Sequence, residues 1–154
     1  MNVLVYDNSQ IGRNSVNKGL DAIGIISRDM VRSVIFYGYL GVDLKEVGGA
    51  DELEGNTDSG VPDHLEGMTD SGVRIMLDSV ELTKKINPNW QAPSGTGVVL
   101  CFVQENSEKV NELYAKLIKA GFKSVKGPWD AFWGHRYASV EDPDGNQVDI
   151  FAEL

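Results

Sequence analysis

The chain has 154 residues, of which 42% are hydrophobic and 24% charged, and its 14 basic and 23 acidic side chains leave a formal net charge of −9. This length suits one domain, or two small modules sharing a core, and the composition is that of a folded globular chain rather than a disordered one. The acidic balance argues against nucleic acid and anionic lipid as partners; it favours a cationic ligand, although an acidic surface also serves solubility alone.

No apolar run is long enough to cross a bilayer, and the start of the chain lacks the basic residues of a signal peptide, so a cytoplasmic location is expected. Residues 1–18 read as an N-terminal extension. Within it residues 2–6 suit an edge strand, and residues 7–18 are polar, contain Gly12 and read as a linker. Residues 22–27 then form a strand, Asp29 caps a helix over residues 30–40, and Gly41 stops it.

Between this helix and the midpoint of the chain lies a short duplication. Leu53-Glu54-Gly55-Asn56-Thr57-Asp58-Ser59-Gly60-Val61 returns as Leu65-Glu66-Gly67-Met68-Thr69-Asp70-Ser71-Gly72-Val73, with eight of nine positions identical. In the second copy Asp70-Ser71-Gly72 is a turn, which pairs strands over residues 64–68 and 73–77; the first copy reads as loop. The stretch from residue 51 to 70 carries seven acidic residues and no Lys or Arg, which suits either a solvated loop or an acidic mouth.

A short helix over residues 79–86 ends at Asn87-Pro88, and a Pro/Gly-rich connection follows, where Trp90 either covers the core edge or joins a ligand wall. The plan then repeats: a strand over residues 98–103, a cap at Asn106 or Ser107, a helix, and a stop at Gly121. Val110, Leu113, Tyr114, Leu117 and Ile118 make the stripe of a helix packed on one side. Leu40-Gly41 and Ala120-Gly121 occupy matching points 80 residues apart. This echo predicts two strand-helix-strand-strand-strand modules. The single cysteine, Cys101, sits in an apolar run and reads as a small buried core residue.

At the C-terminal end residues 136–141 and 147–152 form a hairpin around Asp142-Pro143-Asp144-Gly145-Asn146. On its second strand Val148 and Ile150 point one way, and Gln147, Asp149 and Phe151 the other. The stretch PWDAFWGHRY followed by EDPDGNQVDIFA resembles the last strands of the vicinal-oxygen-chelate superfamily, which includes glyoxalase I, extradiol dioxygenases, fosfomycin-resistance enzymes and bleomycin-resistance proteins. LDAIGIISRDMVRSVIFYGYLGVDL is similar to that family's opening strand and helix, which typically ends in FY-x-x-LG. The likeness runs from about residue 20 to 154. It implies an α+β fold in which two βαβββ modules make a curved, open mixed sheet, with helices on the convex side and a cleft on the concave side. The expected organisation is a single domain over residues 19–154: module one at 19–78, a linker with the short helix at 79–95, and module two at 96–154.

Metal-dependent members of that superfamily hold a divalent ion with His, Glu or Gln ligands from the end strands of the two modules, leaving open positions for substrate oxygens. In this sequence Ala22 stands at the first ligand position, Thr96 or Gly97 at the second, and only Asp149 retains a donor. One carboxylate does not hold a catalytic metal, so no cofactor is expected. A rearranged divalent-metal site would need His64, His135 and Asp149 to converge, and would keep open a glyoxalase-like lyase or dioxygenase. The predicted cleft is rich in rings: Trp129, Phe132, Trp133 and Tyr137. Together with His135, His64 and Asp149 as a polar anchor, they are the expected ligand-binding residues. Rings stack on flat or cationic ligands at about 0.5–2 kcal/mol each. The resemblance to the metal-free bleomycin-resistance branch implies a homodimer that sequesters such a molecule without changing it, while the same patch could instead be the dimer seam.

Overall fold

The computed structural model describes residues 19–47, 60–95 and 97–154. The edge strand and linker expected before residue 19, and the acidic stretch 51–59, lie outside the described residues. The elements run β1 (Ala22–Ser27), α1 (Met30–Tyr39), β2 (His64–Met68), β3 (Arg74–Ser79), α2 (Val80–Ile86), β4 (Leu100–Val103), α3 (Ser107–Lys119), β5 (Lys123–Ala131), β6 (His135–Glu141) and β7 (Gln147–Glu153). They form two mixed sheets, ordered β1-β3-β2 and β4-β7-β6-β5. In each sheet the leading strand runs parallel to its neighbour and the other pairings are antiparallel.

Local chemistry explains why these stretches fold as they do. The Asp29 carboxylate accepts from the Arg32 amide at 3.0 Å and starts α1, and the Asn106 side chain does the same for Lys109 and α3. Gly41 and Gly121, at φ of 83° and 85°, take the left-handed turn that ends each helix. Along β3 burial alternates strictly, with Ile75, Leu77 and Ser79 beneath the helices and Arg74, Met76 and Asp78 on the opposite face. β7 alternates in the same way, with Val148, Ile150 and Ala152 buried.

The repeated plan is visible in both modules. Among the described residues the second shows four strands and the first three, with a further bridge between Lys45 and Glu66 ahead of β2. Beside this bridge the chain passes so close to Gly67 that a Cβ there would lie 2.9 Å from both Asp43 O and Val42 Cγ1.

One core joins the modules on the helix side. Phe36, Tyr37 and Val42 of the first meet Leu117, Val140, Val148 and Ile150 of the second in a single cluster, all essentially inaccessible. Complete burial of each such side chain stabilises the fold by about 1.5–3 kcal/mol. Phe36 packs edge-on against Phe122 at 5.0 Å, and the Arg32 guanidinium lies 4.8 Å over the same ring while donating to Gly121 O. Tyr37 Oη donates to Asp142 Oδ2 at 2.7 Å, tying α1 to the β6–β7 turn; burial first, and then the carboxylate, push the phenol pKa upward.

Candidate functional site

The face of the β4-β7-β6-β5 sheet turned away from α3 carries the rings. Strand register sets Trp129 opposite Tyr137, and Tyr137 opposite Phe151, which makes one row across three strands. Tyr137 and Phe151 stack at 5.2 Å with an interplanar angle of 15°. Trp133, from the β5–β6 connection, folds back edge-on to Trp129 and Tyr137, 5.5 Å from each, with Phe132 at 4.8 Å. Phe132 is 95% exposed and Trp133 46%, so the rings form an open shelf. A cation already uses it: Lys126 Nζ lies 3.4 Å from the Trp129 ring centroid.

Beside this row runs a polar one, in which Cys101, Asp149 and Ser139 face one another across β4, β7 and β6. Asp149 Oδ1 accepts from Ser139 Oγ at 2.7 Å and from Gln147 Nε2 at 3.0 Å. Its Oδ2 has no hydrogen-bond partner among the described residues and is the oxygen left for a ligand. Cys101 is exposed, not buried as the apolar run around it suggests. β4 is covered on one face only: Leu100 and Phe102 turn toward the helices, and Cys101 and Val103 turn outward. Partial desolvation and the neighbouring Asp149 raise the thiol pKa, which keeps it protonated and poorly nucleophilic. His135 packs edge-on to Phe151 at 5.7 Å, and its buried Nδ1 has no partner.

Of the expected ligand-binding residues, Trp129, His135, Tyr137 and Asp149 therefore share one face of one sheet, and Trp133, with Phe132 against it, joins the row from the β5–β6 connection. His64 does not join them. It lies on the other sheet, where Nδ1 bonds Asp78 Oδ1 at 2.6 Å and Nε2 bonds Glu66 Oε1 at 3.1 Å. Glu66 is in turn gripped by Arg74 Nη1 through both oxygens, at 2.9 and 2.8 Å, and Arg74 also pairs with Asp21. Desolvation alone would lower the His64 pKa, but its bonds to Asp78 and Glu66 outweigh it and the pKa is raised. Arg74 holds the Glu66 carboxyl below its ordinary range. Glu66, Arg74 and Asp78 were not among the expected site residues. The alternation of β2 and β3 around their turn was the available signal, since it sets 64, 66, 74 and 78 on one face.

These donors do not fit a divalent ion. Both nitrogens of His64 are engaged, and the residue paired with Ala22, at the family's first ligand position, is the cationic Arg74. Gly97 precedes β4 and Thr96 lies outside the described residues. Among the described residues no group of three or more His, Cys, Asp or Glu side chains is placed to hold a metal, so His64, His135 and Asp149 do not converge. No helix among them is long and apolar enough to cross a membrane.

The fold is shared with solved structures. A hypothetical protein from S. aureus superposes with a TM-score of 0.71 at 15% identity, covering 90% of this chain and 95% of its own. A glyoxalase/bleomycin resistance protein/dioxygenase family enzyme from Burkholderia phytofirmans PsJN gives 0.69 at 21% identity, covering 87% of this chain and 98% of its own. A glyoxalase-related enzyme from Fulvimarina pelagi gives 0.68 at 18% identity and 89% coverage of both chains. No curated protein matches the sequence. Residues 19–150 match the Glyoxalase/Bleomycin resistance protein/Dioxygenase superfamily, and the chain belongs to that superfamily.

Proposed function

We propose that this protein binds a planar, cationic small molecule of the bleomycin type on the aromatic shelf and sequesters it in the cytoplasm without chemical change. The observation that supports this reading is the exposed row Trp129–Tyr137–Phe151 with Trp133 folded across it, a cation already resting on one ring and Asp149 Oδ2 open beside it. Rings attract flat cations through their π faces, and a carboxylate without a full set of partners adds a charge-assisted bond. A homodimer belongs to the same reading, since among the described residues β1 and β4 each pair on one side only and a second copy has open edges to cover.

The test is a tryptophan-fluorescence titration with metal-free bleomycin at low and at physiological salt. Saturable quenching at one ligand per subunit, weakened by salt, is expected. Trp133→Ala, whose side chain is half-exposed, should fold normally and lose about 2- to 30-fold in affinity, the value of one ring. Undiminished binding by that variant would refute the site.

A further inference from the structure

We propose that the seam between the two modules is a second ligand site, taking a small apolar molecule that carries an amine or amide N–H. A cavity of about 520 Å³ lies there, bounded by the edge of β1, the connection before β4 and the β6–β7 turn. Its size falls within the roughly 300–1,000 Å³ of small-molecule sites, which favour the junctions between structural units. It is separate from the aromatic shelf, none of whose rings line it.

The walls specify the chemistry. Ile26, Trp90, Pro93, Val98 and Leu100 make an apolar enclosure, and Val98 is 71% exposed at its margin. Four successive residues of β1, Ile23 to Ile26, line the cavity, as only a strand edge can, and on that side β1 has no partner strand among the described residues. The ligand thus meets peptide groups that lack a ladder.

The polar end is the β6–β7 turn. Asp144 is 92% buried as a side chain, since its exposure is 8%. Its Oδ1 accepts from the Arg28 backbone N at 2.9 Å and from Arg28 Nε at 3.0 Å, while its Oδ2 is buried with no partner. Asn146 turns its Nδ2 to Asp142 Oδ2 at 2.8 Å, which leaves its own carbonyl oxygen as a second acceptor. A buried carboxylate oxygen without a donor is costly, and a ligand N–H supplies what is missing. A hydroxyl donates less well and a carboxylate is repelled. Arg28 already balances the charge of Asp144, so the requirement is for a donor rather than for net positive charge.

The test uses the full chain and two probes of equal shape, phenethylamine and 2-phenylethanol, followed by amide and indole NMR shifts. Expected are shifts at Ile23 to Ile26, at the Trp90 indole and at Gly145 and Asn146, with the amine preferred by about tenfold, the value of one charge-assisted bond. In Asp144→Asn the side-chain oxygen keeps the bonds from Arg28, while an N–H donor replaces the lone acceptor. The amine preference should disappear and binding of the alcohol persist. Ala92→Trp fills the cavity from the connecting loop and should abolish the seam shifts, whether or not Asp144→Asn folds. Absence of seam shifts, shifts confined to Trp129, Trp133 and Tyr137, seam shifts that survive Ala92→Trp, or an amine preference that survives in a folded Asp144→Asn would each overturn the proposal. Trp133→Ala leaves seam binding unchanged, so the two sites fail or stand independently.

Discussion

His64 shows how far one residue's chemistry depends on neighbours that are remote in sequence. Held between Asp78 and Glu66, its pKa is raised in the folded state. A raised pKa means that the stabilisation from this network is fully present below the unfolded value of about 6.5, and is lost as pH rises through the folded value. The melting-temperature advantage of the native chain over His64→Gln should therefore be largest near about pH 6 and shrink toward alkaline pH. A constant difference across that range would mean that the His64 pKa is the same in the folded and unfolded chains. Residue chemistry at the shelf was easier to read, because the alternation of β7 alone sets Asp149 and Phe151 on one face. Cys101 was misread because the run from Val98 to Val103 is apolar throughout, and a continuous run conceals which face is covered.

At the scale of elements, caps and stops were legible and close approaches between chain segments were not. Asp29, Asn106, Gly41 and Gly121 act through bonds to residues a few positions away, so their roles can be read from a short window. The stripe Val110, Leu113 and Leu117 was likewise readable and is buried, whereas Ile118 at its margin stays 36% exposed. The close approach between Gly67 and residues 42 and 43 is a contact that no periodicity reveals. Gly67→Ala should force that segment away, break the bridge from Lys45 to Glu66 and cost about 1–3 kcal/mol. Urea denaturation measures the loss, and amide exchange at Lys45 and Glu66 shows whether the bridge has opened.

At the scale of the whole molecule, the modules are fastened through buried polar contacts as well as the shared core. Asp142 accepts from Tyr37 Oη, from the Asp144 and Asn146 amides and from Asn146 Nδ2, so one carboxylate shapes the turn and anchors α1 to it. Tyr37→Phe removes one of these donors from a buried acceptor and should cost about 1–3 kcal/mol while leaving the shelf rings in place. A loss of shelf binding in that variant would show that the seam and the shelf are coupled. Sedimentation velocity addresses the proposed homodimer. A dimer at micromolar concentration that persists in Trp133→Ala would place the contact away from the shelf, and a monomeric variant would make the shelf the subunit interface.

By itself the sequence determined what short-range bonding and periodicity control: the caps, the turns, the inward and outward faces of the last strand, and the motifs that identify the superfamily. Tertiary structure alone decided which side chains meet. Arg28 and Asp144 are 116 positions apart, Tyr37 and Asp142 are 105 apart, and Trp129 reaches Phe151 only through the register of β6. Such contacts form when two apolar faces close on one core, and the energy that closes them is non-directional. Local pattern therefore specifies that the faces must close, while the packed shapes of the side chains determine where the seam, the shelf and the His64 network lie.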